Sequence, residues 1–145
     1  MELNILRADP AGNITVFVLD PVEKAQRAAI AEKIMAIPAL KAEQVGYACA
    51  AEDDVDGHME MMGGEFCGNA TRAYGMYIAQ QKGGLSAVKL RVSGCDHAVT
   101  AQVDLKSGTA RAEMPCPRSV KRVTVNGHEG TLVDLTGIAP VSYTH

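Results

Sequence analysis

The sequence predicts an α+β domain in which a curved, mostly antiparallel β-sheet wraps around one buried helix, with an outer helix packed against it. Three patterns carry this expectation. Residues 70–82 repeat at helical spacing with almost no polar face, since Ala70, Ala73, Tyr74, Met76, Tyr77, Ile78 and Ala79 point in most directions. A helix apolar all round belongs inside a fold. Residues 20–37 instead show one apolar stripe opposed by Glu23, Lys24, Arg27 and Lys33, the pattern of a surface helix. From Val88 onward the chain reads as short alternating strands divided by Gly-containing turns, which suits an antiparallel sheet.

Taken in order, Leu3 and Ile5 begin an apolar alternation, Asp9-Pro10-Ala11-Gly12-Asn13 interrupts it, and Ile14 to Leu19 resume as a β-branched strand. Asp20 has the chemistry of an N-cap, Pro21 suits the first helical position and Glu23 completes a capping box, so a helix is expected to run to Ile37 before Pro38. Val22, Ala25, Ala29, Ile30, Ile34 and Ile37 form its apolar stripe. Val45, Tyr47 and Cys49 mark a short strand, Asp53 to Gly57 an acidic turn, and Met59 and Met61 alternate with His58 and Glu60 as a half-buried strand does. The turn-rich stretch Gly63 to Asn69 leads into the apolar helix, which Gly83-Gly84 ends. Strands follow at 88–92, 97–105 and 109–114, and Asn126-Gly127 between 120–125 and 131–135 is the strongest hairpin signal in the chain. A further strand is starting where Gly137 to His145 stop, so the chain is expected to be a fragment.

Composition removes several function classes. With 145 residues the chain fits one domain of ordinary size. Fourteen Lys plus Arg against 17 Asp plus Glu leave a net charge of −3, so no broad basic surface is available for nucleic acid or anionic membrane. No apolar run approaches the roughly 20 residues that span a bilayer, and the opening Met-Glu-Leu-Asn lacks the basic and apolar regions of a secretory signal. A cytoplasmic protein is expected. Cys49, Cys67, Cys95 and Cys116 form no CxxC pair and the four histidines show no ligand spacing, so free thiols are expected and no metal. The acidic turn lacks the terminal Glu of a calcium loop.

Cys67, at the entrance of the apolar helix, is the sharpest chemical feature. A thiol with a pKa of about 8.5 is only about 3% thiolate at neutral pH. The positive end of a helix favours the anion by about 0.3–2 kcal/mol. Cys67 therefore suits a base or a nucleophile, and the N–H groups of Gly68, Asn69 and Ala70 suit a carboxylate. From the residues alone two other readings stand. A cysteine hydrolase would pair Cys67 with a histidine base, and a small binding domain would merely pack it.

The run Gly64-Glu65-Phe66-Cys67-Gly68-Asn69-Ala70-Thr71-Arg72 resembles the first active-site motif of the diaminopimelate epimerase superfamily, racemases and epimerases that work without pyridoxal phosphate. Asp9 to Ile14 resemble its N-terminal Gly-Asn loop, and Glu43-Gln44-Val45-Gly46 its second substrate loop. These two stretches, the Cys67 motif and Val92-Ser93-Gly94-Cys95 are most similar to the superfamily's histidine epimerases of opine-metallophore synthesis.

The resemblance implies a diaminopimelate epimerase-like domain, a barrel-like sheet around a central helix, here the N-terminal domain of a two-domain enzyme whose C-terminal domain is absent. It also implies a two-base mechanism without a cofactor. One cysteine removes the α-proton of an amino acid and a second, from the other domain, protonates the opposite face. Cys67 matches the first, Asn13 and Gln44 would contact substrate, Gly68 and Asn69 would hold its α-carboxylate, and Glu43 would recognise its side chain or amine.

The family's diaminopimelate epimerases place Gly after the Cys-Gly-Asn and Cys after the Arg, where this chain has Ala70 and Ala73. They also carry Asn-Ala-Asp-Gly where this chain has Met61-Met62-Gly63-Gly64. Both departures point away from diaminopimelate, the alternative substrate, toward L-histidine. Arg72 is expected to pair locally. Alone, the chain is expected to be inactive and to expose an interface through which it could form a homodimer.

Overall fold

The computed structural model describes residues 2–135 in full and residues 141–143 by their backbone. Seven strands form one sheet in chain order: β1 (Ile5–Ala8), β2 (Thr15–Val18), β3 (Gln44–Cys49), β4 (Gly57–Met61), β5 (Ala87–Val92), β6 (Val99–Asp104) and β7 (Thr109–Ala112). Helix α1 (Lys24–Met35) joins β2 to β3, and α2 (Gly68–Gln81) joins β4 to β5. Those two pairs are the parallel ones, because a helical crossover returns the chain in the same direction. The other four pairs in this sheet are antiparallel.

The helices lie on opposite faces, and β2 shows how the sequence arranges this. All four of its residues are buried. Val16 and Val18 join Val45, Tyr47, Ile30, Ala31 and Ile34 beneath α1, while Phe17 points the other way into the cluster around α2. Period-2 alternation on a strand covered on both sides produces this split. The core around α2 contains Met59, Met61, Tyr74, Val88, Leu90, Val92, Val99 and Ala101. At Gly75 the helix lies so close to β6 that an added Cβ would stand 2.7 Å from that of Ala101.

The sheet is therefore curled around α2 as expected, but it does not enclose it. Ala70, Thr71, Tyr74, Gly75 and Ala79 are buried, whereas Arg72, Ala73, Met76 and Tyr77 stay half-exposed along a groove between β1 and β7. Apolar periodicity reports that a helix is inside, not how far around it a sheet closes.

Helix α1 departs from its expected start. It begins after Glu23, whose side chain makes no capping bond. Asp20 is used elsewhere: its carboxylate accepts the backbone N–H of Asn4 at 2.5 Å and the Asn4 side-chain amide at 3.0 Å, tying the N-terminal segment to the end of β2. The buried stripe is also narrower than expected, with Ile30, Ala31 and Ile34 inside and Ile37 out in solvent. Arg27, expected on the polar face, turns inward. Its guanidinium pairs with Glu60, donates to Cys49 Sγ at 3.5 Å and lies 5.1 Å from the centre of the Tyr47 ring. Burial opposes ionisation of Glu60, but the Arg27 hydrogen bond, with Lys24 and His58 nearby, holds its carboxyl below the ordinary value.

The Asn4 bonds hold the Asp20 carboxyl below its ordinary value of 3.8. A folded-state pKa below the unfolded one contributes stability above the unfolded value and loses it as pH falls through the folded one. Thermal unfolding should accordingly place Asp20→Ala below the parent near neutrality, with the gap closing in acid below the ordinary carboxylate range.

A second antiparallel sheet of three strands, β8 (Ser119–Val125), β9 (His128–Asp134) and β10 (Val141–Tyr143), follows β7. Its first turn is Asn126-Gly127 with φ of 51° and 79°. Both left-handed values are those of a type I′ hairpin, which explains the Asn-Gly pair. Cys116 lies exposed in the connection before β8.

Candidate active site

Cys67 is the N-cap of α2, and its sulfur accepts the Ala70 N–H at 3.4 Å. The Thr71 N–H and hydroxyl both bond to the Cys67 carbonyl, at 2.9 and 2.8 Å, closing the first turn. Gly68 and Asn69 begin the helix, so their N–H groups precede its regular ladder and point out of its end. The loop before it is pinned from β5's end, where the Ser93 hydroxyl donates to the Glu65 carbonyl at 2.7 Å and accepts the Met61 N–H at 2.8 Å.

The parallel pairing of β2 and β3 brings the remaining residues together. Because the two strands start side by side, Asn13 lies next to Glu43, and Thr15 pairs in register with Gln44. Gln44 Nε2 lies 2.9 Å from Asn13 Oδ1, 2.7 Å from Thr15 Oγ1 and 3.2 Å from Cys67 Sγ. Asn13 Nδ2 donates to Glu43 Oε2 at 3.0 Å, Asn69 Nδ2 donates to Asn13 Oδ1 at 3.2 Å, and Arg72 donates to Asn69 Oδ1 at 2.5 Å. Asn13, Glu43, Gln44, Gly68 and Asn69, the expected substrate residues, thus gather around the sulfur of Cys67. All six come from the starts of β2, β3 and α2.

Beside them opens a cleft of about 540 Å³ lined by Phe66, Cys67, Gly68, Asn69, Arg72 and, from the far side, Ala112, Met114 and Leu135. An added Cβ on Gly68 would stand 3.1 Å from Met114 Sδ, so glycine leaves this thioether room over the helix start. Sequence reasoning missed Thr15, Met114 and Leu135. Thr15 is wholly buried at the head of β2 and is brought to Gln44 by strand register, and the other two depend on how distant segments meet.

The other cysteines have different surroundings. Burial pushes the Cys49 thiol up although Arg27 opposes it, and burial, reinforced by Asp96 and Glu113, pushes Cys95 up. Two candidate hydrolase bases are engaged away from Cys67: His58 Nδ1 contacts the Ala50 carbonyl, and His97 contacts Asp96. Among the described residues, no three His, Cys, Asp or Glu side chains converge as a metal site, and no helix is long and apolar enough to cross a membrane.

Comparison with known proteins identifies the family of the whole chain. The family model described as "Histidine racemase CntK N-terminal domain" matches residues 2–145. A histidine racemase of Fusobacterium nucleatum subsp. nucleatum is 32% identical over 145 residues, which cover 94% of this chain and 52% of that protein. A histidine racemase of Staphylococcus aureus is 33% identical over 122 residues, covering 81% of this chain and 44% of the relative. The chain spans about half the length of the curated relatives it matches. With the family model matching from end to end of the described residues, the chain belongs to the histidine racemase CntK N-terminal domain family.

Proposed function

We propose that this chain is the N-terminal domain of a two-domain, cofactor-independent amino-acid racemase of the diaminopimelate epimerase-like fold, acting on histidine, with Cys67 serving one face of the α-carbon. The observation that carries the reading is the surroundings of Cys67 Sγ, which accepts N–H groups from Ala70 and Gln44 beside the hydrogen-bonded chain of Glu43, Asn13 and Asn69. An acceptor sulfur at the positive end of a helix suits proton abstraction. The adjacent Gly68 and Asn69 amides suit the substrate α-carboxylate, whose negative charge rises as the carbanion forms. The Glu43 carboxylate offers a partner for the α-ammonium group or the imidazole.

In the reaction, the Cys67 thiolate takes the α-proton and becomes a thiol, the C–H electron pair stays on the α-carbon, and a thiol from the second domain delivers a proton to the opposite face. The charges exchange between the two sulfurs and no oxidant or reductant is required. One wall of the cleft and one of the two acids lie outside this chain, so the 145 residues alone should not turn over. The half-length match to the racemases supports this division.

Proton NMR of the full-length protein in D2O, under reducing conditions and without pyridoxal phosphate, tests the reading. Loss of the histidine α-proton signal faster than that of L,L-diaminopimelate is the expected result. Exchange of diaminopimelate alone would move the substrate assignment, and exchange of no amino acid would overturn the function.

A further inference from the structure

We propose that Glu43 and Arg72, neither of which hydrogen-bonds Cys67, are positioning residues that fix the amide orientations between them so that Gln44 presents an N–H, not a carbonyl, to the Cys67 sulfur. The inference rests on Cys67 as the proton carrier and assigns Arg72 more than local pairing.

The argument begins with what each group can do. A guanidinium only donates and an ionised carboxylate only accepts, whereas an amide side chain does one at each end and reverses both when it flips. At one end of the chain Asn13 Nδ2 meets Glu43 Oε2 at 3.0 Å. The carboxylate requires a donor, so Asn13 must turn its Oδ1 the other way, toward Gln44 and Asn69. At the other end Arg72 Nη2 stands 2.5 Å from Asn69 Oδ1. The guanidinium requires an acceptor, so Asn69 must turn its Nδ2 toward Asn13, at 3.2 Å. The two charged ends demand the same direction, and no amide between them is frustrated.

Gln44 is the branch of this chain. Asn13 Oδ1, oriented by Glu43, accepts Gln44 Nε2 at 2.9 Å, and the same nitrogen faces Thr15 Oγ1 at 2.7 Å and Cys67 Sγ at 3.2 Å. A flipped Gln44 would set its carbonyl oxygen against Asn13 Oδ1, a contact between lone pairs, and against the sulfur as well whenever Cys67 is a thiolate. Thr15 does not decide the matter, because a hydroxyl can donate or accept. The direction comes from the charged ends. Other charged side chains near this end of the sheet are committed elsewhere: Asp9 holds the Gly12 N–H and Glu113 the Thr100 N–H.

The test is the rate of Cys67 alkylation by iodoacetamide in the full-length protein as a function of pH, read by peptide mass spectrometry with no substrate present. Arg72→Gln keeps a hydrogen-bonding side chain but loses the direction, and Glu43→Gln does the same at the other end. Each should move the midpoint of the profile upward by about half to one pH unit, about three- to tenfold slower alkylation at neutral pH. Arg72→Lys remains donor-only and should stay within about twofold of the parent. Gln variants whose profiles superimpose on the parent's, at whatever cost in melting temperature, would overturn the proposal. So would an Arg72→Lys profile displaced as far as that of Arg72→Gln. Because no turnover is read, a parent that fails to exchange histidine but shows this pattern defeats the functional reading alone. A parent that exchanges with profiles unmoved defeats this inference alone.

Discussion

Cys67→Ser in the full-length protein is expected to lower histidine racemisation by about 10²–10⁴-fold, the usual worth of a positioned acid or base, while leaving the fold as stable as the parent or slightly more so. The two halves of this expectation come from the two roles of the sulfur. As N-cap it accepts the Ala70 N–H, and a serine hydroxyl fills that role at least as well. As the proposed proton carrier it must shuttle between thiol and thiolate, which a hydroxyl cannot do near neutrality. Cys67→Ala removes both functions and should add about 1 kcal/mol of lost capping to the same loss of activity. The fall should appear in kcat with KM changed little, since the groups proposed to bind the carboxylate are backbone amides that neither substitution removes. Circular-dichroism melts beside a polarimetric assay separate the outcomes. A serine variant retaining a tenth or more of the parent rate, about 1.4 kcal/mol of barrier or less, would remove Cys67 from the mechanism.

The largest stability effect is expected at Gly94. Its φ of +74° favours glycine, and an added Cβ would stand 2.2 Å from the backbone nitrogen of Phe66, a contact that only main-chain movement relieves. Gly64 supplies the control, with the same φ of +74° and nothing within 4 Å of its added Cβ. Gly64→Ala should cost about 1 kcal/mol, the strain of a left-handed alanine. Gly94→Ala should cost about 3–4 kcal/mol once displacement of packed structure is added. Urea unfolding of the two variants measures the difference directly, and equal losses would refute the steric account. Because Phe66 is followed by Cys67, Gly94→Ala should also weaken turnover, an effect Gly64→Ala should show less.

The features legible in the sequence were those whose causes are local. Asn126-Gly127 needs two left-handed residues in succession, and they form that turn. Cys67 opens α2 because an apolar helix begins immediately after it, and Met59 and Met61 go inside because period-2 alternation has one buried face. What sequence misplaced depended on a partner far along the chain. Asp20 has good N-cap chemistry, but Asn4, 16 residues earlier, competes for the same carboxylate and wins. Arg27 has the charge of an outer face, yet Glu60 lies 33 residues on and draws it inward over Tyr47. The candidate site was identified from motif resemblance, and its assembly depends on the parallel order of β2 and β3, which no local pattern encodes. Thr15 was missed for that reason, since only the register places it against Gln44.

The attachment of α1 bears on how the molecule opens. This helix has no side-chain N-cap, no acidic residue in its first turn and only Ile30, Ala31 and Ile34 buried. Much of its remaining hold on the sheet passes through the Arg27 guanidinium. Helix α2, by contrast, packs against β4, β5, β6 and β7 and meets Phe17 of β2. Native-state hydrogen exchange should therefore resolve two tiers: α1 amides exchanging by detachment of that helix alone, and α2 amides only when the whole sheet unrolls. Arg27→Ala should accelerate the first tier and leave the second nearly where it was. Structural order would then be graded across the sheet, with the loosest element behind β3 and the tightest carrying Cys67.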